Sequence, residues 1–130
     1  MPLISHMGID YDSPNIQIQD NASATDLDNT KVPTGQTVKA YINKNITTKE
    51  YSVTTTSNSY VSPFGAYAEL NMSTDISTYG RIIGMYPFTG ATNPCSCEYN
   101  ATSNLVHVWS KSATSNGKLI VTFCKLGTVV

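Results

Sequence analysis

One short segment constrains this chain more than any other. Between Thr34 and Asn45, Val38, Tyr41 and Ile42, continued by Ile46, recur at the spacing that builds a single apolar stripe on a helix. Pro33 is tolerated at the start of a helix and Thr34 is a good cap, so the pattern predicts a helix over 34–45. A helix of three turns is marginal in water unless its stripe is buried on something else. The preceding residues 8–30 offer little, because their apolar side chains are Ile9, Ile16, Ile18 and Leu27 among five aspartates. Ile16 and Ile18 alternate with Gln17 and Gln19, a two-residue period that predicts a short half-buried strand. The stripe therefore requires copies of itself or the chain that follows.

After Glu50 the period changes from helical to strand-like. Tyr51–Thr56 is β-branched, Tyr60–Leu70 is aromatic-rich and broken by Pro63 and Gly65, and Gly80–Phe88 carries Ile82, Ile83, Met85 and Tyr86. Asn104–Ser110 alternates, with Leu105, His107 and Trp109 on one face and Val106 and Val108 on the other. Lys118–Leu126 follows Ser115-Asn116-Gly117, and Asn-Gly is a strong hairpin signal, so the strand of Trp109 is expected to pair with Leu119–Phe123. Short strands separated by turn residues predict an antiparallel β-sandwich or barrel.

Charge narrows the function classes. Only 13% of the 130 residues are charged, against about 25% in a typical chain, whereas 14 Ser, 17 Thr and 11 Asn make nearly a third of it polar without being ionic. Residues 8–30 are wholly acidic among their charges, 31–50 carry four Lys against Glu50, and the last eighty residues are close to neutral. No basic stripe is present to neutralise phosphates or meet anionic lipid, so neither nucleic acid nor a membrane surface is an expected partner. No apolar run reaches the roughly 18–20 residues of a membrane span, and no signal peptide is expected. Ser5-His6-Met7 reads as a tag remnant, so residues 1–7 are set apart and His6 is given no role.

Chemistry-bearing residues are sparse. Cys95, Cys97 and Cys124 are odd in number, and together with His107 they lack the paired spacing of a zinc site, so reduced core thiols and no metal or cofactor are expected. Four Asn-x-Ser/Thr triplets, at Asn21, Asn45, Asn71 and Asn100, are close to what the composition gives by chance. A Ser/His/Asp triad would have to use His107, with no Gly-x-Ser-x-Gly elbow in the chain. A glycosidase pair would have to come from Glu69, Asp75 and Glu98. Isolated surface acids are the ordinary alternative, and the chain is not expected to be an enzyme.

The segment Lys31-Val32-Pro33-Thr34 followed by Val38, Ala40, Tyr41 and Ile42 resembles a "VPT…AV…Y(V/I)" stretch of bacteriophage and prophage tail fibres, where it forms the neck between a shaft and a C-terminal head. The likeness covers about seventeen residues; Thr37 stands where the family usually has Ala, and Gly35 softens the first turn. The acidic Asp26–Thr30 before it suits a shaft end, and the Ser/Thr/Asn-rich remainder is similar in texture to receptor-binding heads. The resemblance implies a parallel homotrimer with a shaft end at 8–29, a helical neck at 30–47 and a β head at 48–130. Val38, Tyr41, Ile42 and Ile46 would meet on the three-fold axis. Overall the chain is expected to be mainly β: a short shaft segment and one neck helix, then an antiparallel β-sandwich or barrel.

The resemblance also implies attachment to a host cell surface from an assembled virion, by binding a glycan. Sugars are held by flat aromatic faces with amide, hydroxyl and carboxylate groups around them. Trp109, Tyr79, Tyr86 and Tyr99 are the candidate platforms, with Asp75, Arg81, Asn93 and Glu98 as polar partners. Trp109 and Tyr86 have core packing as their ordinary alternative, Tyr79 and Tyr99 are expected to be exposed, and His107 is expected in a core or interface. The competing readings are a module that caps and registers a fibre without binding a receptor, and a glycan-cleaving tip.

Overall fold

The computed structural model describes residues 16–57 and 64–127, in two compact units divided between Asn45 and Ile46. Residues 1–7, the first part of the expected shaft end, residues 58–63 and the terminal Val129 and Val130 lie outside the described residues.

In the first unit, β1 (Ile18–Gln19) and β2 (Val32–Pro33) pair in parallel, and α1 spans Gly35–Asn45. The acidic loop between the strands wraps around one side chain. Gln19 donates from Nε2 to the Asp26 carbonyl at 3.0 Å and accepts at Oε1 from the Asp28 N–H at 2.9 Å. Thr37 locks this loop to the helix: its hydroxyl donates to the Gln19 carbonyl at 2.8 Å and accepts from the Asn21 N–H at 2.7 Å. Thr37 is fully buried, and its hydroxyl ties the loop to the helix with hydrogen bonds that no apolar side chain could make.

The face that α1 buries consists of Thr37 and Ala40, not the apolar stripe. Val38 and Tyr41 are half-buried, Ile42 is exposed, and Ile46 has left the helix to open a strand. Ile18, expected to be half-buried, is 63% exposed and stands in register with Val32, itself 58% exposed.

The second unit is predominantly antiparallel β: β3 (Ile46–Ser57), β4 (Ala66–Asn71), β5 (Arg81–Phe88), β6 (Cys95–Asn100), β7 (Leu105–Ser110) and β8 (Thr114–Cys124), with α2 (Ser73–Tyr79) before β5. The order β5-β8-β3-β4-β7-β6 forms one six-stranded sheet that is almost closed, β6 meeting β5 where the Cys95 thiol approaches the Pro87 carbonyl at 3.4 Å. Val53, Met72, Val106, Val108, Leu119, Val121 and Phe123 fill the interior. Period-two alternation puts every second residue of β3, β7 and β8 into this core.

The expected hairpin does not form. β7 pairs with β4 and β6, while β8 pairs with β3 and β5, so their strands are not neighbours. Asn116-Gly117 lies inside β8 instead of at a turn. Gly117 is there because β3 passes too closely for a side chain: a Cβ would stand 2.8 Å from the Val53 carbonyl oxygen. The helix α2, absent from the strand pattern, starts where Asn71 Oδ1 accepts the Ser73 N–H at 2.9 Å.

Candidate functional site

The outer face of β4, β7 and β6 gathers the side chains that alternate away from the core. Tyr67 and Trp109 are register partners, Glu69 faces His107, and Glu98 faces His107 from the other side. The rings form a continuous row: Tyr67 stacks on Trp109 at 5.3 Å between centroids, and Trp109 stacks on His107 at 5.5 Å and 17°. His107 Nε2 lies 3.0 Å from Glu69 Oε2. A carboxylate can only accept, so Nε2–H donates and fixes the imidazole plane. Beside the row, an open depression of about 310 Å³ is lined by Thr54 and Thr56 of β3 and Tyr67, Ala68 and Glu69 of β4.

This arrangement is a row of stacked aromatic rings bordered by hydroxyls and two carboxylates. Trp109 does not pack in the core: it shares the outer face with His107 and Leu105, while Val106, Val108 and Ser110 point inward and are fully buried. Tyr67 was not singled out in the sequence because Pro63 and Gly65 interrupt the segment that precedes it. The usable signal was the alternation Tyr67-x-Glu69, which sets an aromatic and an acid on one face of β4.

The remaining candidates do not join this site. Tyr79 is not an exposed platform; it packs from α2 onto Phe123 at 5.7 Å. Asp75, on the same helix, accepts a hydrogen bond from the Tyr51 hydroxyl and lies 3.4 Å from Lys49 Nζ. Lys49 in turn sits 4.9 Å from the Tyr79 ring centre. Together these side chains clamp α2 to β3. Burial, and then the Asp75 carboxylate, push the Tyr51 phenol well above its ordinary value.

Tyr99 also faces inward, packing against the core while its hydroxyl donates to Asn104 Oδ1 at 3.0 Å. Arg81 donates to the Gly127 carbonyl at 3.1 Å. Asn93 staples two loops, donating to the Ser112 carbonyl at 3.1 Å and accepting from the Ser112 N–H at 3.0 Å. Tyr86 is 60% exposed on β5, the strand that also carries the exposed Ile83 and Phe88.

Among the described residues, no three His, Cys, Asp or Glu side chains gather so as to hold a metal ion, and Cys95, Cys97 and Cys124 are free thiols. Burial and the neighbouring Cys95 raise the Cys97 thiol above its ordinary value. No helix among the described residues is long and apolar enough to cross a membrane. No family model, curated protein or solved structure matches the chain.

Proposed function

We propose that this chain is the neck and head of a phage or prophage tail fibre, trimeric in the virion, and that its β head attaches to a host cell by binding a glycan. The observation that carries the binding function is the Tyr67–Trp109–His107 row with Thr54, Thr56, Glu69 and Glu98 around it. The aromatic row offers apolar surface to the C–H groups of a sugar, and the bordering oxygens take its hydroxyls. Trimerisation draws support from apolar side chains that a lone protomer leaves in water: Ile18, Val32 and Ile42 in the first unit and Ile83, Tyr86 and Phe88 in the second.

Two measurements test this. Light scattering should give three times the 14.1 kDa protomer mass; a stable monomer at micromolar concentration removes the fibre reading. Saturable binding of the fragment to host cells or cell-wall polysaccharide should fall at least tenfold in Trp109→Ala with the β fold intact. Absence of saturable binding favours the capping module.

A cleaving tip is the second reading, favoured by one observation. Glu69 and Glu98 are both register partners of His107, one from each neighbouring strand, so one face carries the two carboxylates that glycoside hydrolysis uses. It requires new reducing ends on incubation with the bound polysaccharide, abolished by Glu69→Gln or Glu98→Gln.

A further inference from the structure

We infer that the outer face of β4, β6 and β7 selects sugars that carry a free amine over acidic ones. The inference rests on the glycan-binding reading above and adds the charge class of the ligand. Its starting point is an imbalance of charge. The three strands contribute Glu69 and Glu98 to the outer face, and none of their residues is Lys or Arg. Glu69 is held by His107, whose Nε2–H occupies one carboxylate oxygen and leaves the other open. Glu98 is exposed and joins no ion pair among the described residues.

The nearest cation along these strands is Lys111, past the end of β7, where its N–H is bound by the Pro94 carbonyl. Four residues separate it from His107, roughly 13 Å of extended strand. The Glu69–His107–Glu98 rung is therefore acidic at one end of the aromatic row.

A uronic or sialic carboxylate laid along the row would approach two carboxylates at this end, with only the His107 imidazole between them to offset their charge. A protonated amine meets the opposite conditions. It can lie beside the stacked rings and donate to Glu69 or Glu98. The acetylated form of the same sugar keeps the stacking and loses the charge. Hydroxyls of Thr54 and Thr56 at the edge of the depression are neutral and suit either form.

The test is titration calorimetry of the full chain at about pH 6, where sugar amines are protonated, with hexaglucosamine, its fully N-acetylated counterpart and hexagalacturonate. Hexaglucosamine should bind roughly tenfold tighter than the acetylated oligomer, as two screened charge contacts allow, and the preference should shrink with added salt. Glu69→Gln combined with Glu98→Gln should erase the preference, and Glu50→Gln, whose partner is Lys118, should leave it unchanged. Both are isosteric surface changes, and Glu98→Gln alone should halve the preference or more if the double variant fails to fold.

Equal binding of the two hexosamines, or binding of hexagalacturonate as tight as hexaglucosamine, overturns the charge selectivity while leaving a glycan site in place. No binding of any oligomer by a chain that still binds host cells overturns it too, and points to a different ligand on the cell. A Trp109→Ala variant that binds hexaglucosamine like the parent shows charge attraction away from this face and overturns the assignment.

Discussion

Replacing Gly80 with alanine should strongly destabilise the β unit. Gly80 closes α2, its N–H bonded to the Ile76 carbonyl at 2.9 Å, and turns the chain into β5 at φ +99° and ψ −167°. That region is open essentially to glycine alone, and a side chain there costs about 1–3 kcal/mol. Space is also missing: a Cβ would stand 2.3 Å from the Cys124 carbonyl oxygen and 2.6 Å from its carbon. That backbone cannot retreat, since Cys124 is paired to Ile46 on one side and Arg81 on the other. Overpacking against it adds about 1–3 kcal/mol. The total of about 2–6 kcal/mol is a large share of the 5–15 kcal/mol typical of a domain.

For a unit of this size the loss corresponds to a fall in Tm of roughly 10–45 °C. Trp109 is the only tryptophan and lies in this unit, so its fluorescence reports the transition. Gly84→Ala is the matched control on β5, where an added Cβ meets nothing within 4 Å. It should melt within a few degrees of the parent. A Gly80→Ala protein melting within about 5 °C of the parent would refute the reasoning, because neither the strained backbone nor the contact with β8 could then be real.

Two titration experiments probe the rest of the fold. Tyr51 is neutral in the folded state beyond the ordinary phenol range, because burial and Asp75 oppose its anion. Its contribution is therefore present below about pH 10 and is lost as the unfolded chain ionises above it. Alkaline spectrophotometric titration should show one tyrosine ionising only with unfolding, and Tyr51→Phe should cost about 1 kcal/mol and remove that step. Asp20 is held below its ordinary 3.8 by hydrogen bonds from Gln36 and then Thr34, so the stability it adds is present above that pH and lost as pH falls below it. Asp20→Asn should flatten the acid limb of the first unit's melting curve; an unchanged limb would show that these bonds do not survive in solution.

Periodicity made α1 and the alternating strands of the second unit legible, because a strand side chain's facing follows local spacing; it did not give the buried face of α1, which is Thr37 and Ala40, nor α2. The alternation of Leu105, His107 and Trp109 against Val106 and Val108 is of this kind, and the structure shows the two sets on opposite faces. Composition likewise set how little charge the surface can carry. Strand partners were not legible. Asn116-Gly117 carries the local chemistry of a hairpin turn, yet its glycine answers to the carbonyl of Val53, a residue 64 positions earlier. Asp75, Tyr79 and Tyr99 are the types a sugar site needs, and only packing assigned them to Tyr51, Phe123 and Asn104.

What the sequence by itself determined was which residues can share a face; what tertiary structure decided was which faces meet. The row of Tyr67, Trp109 and His107 spans two strands nearly forty residues apart, and a third brings Glu98 to it. Such a site exists only through β4-β7-β6 register, which is fixed by burial of Val106 and Val108 beneath it.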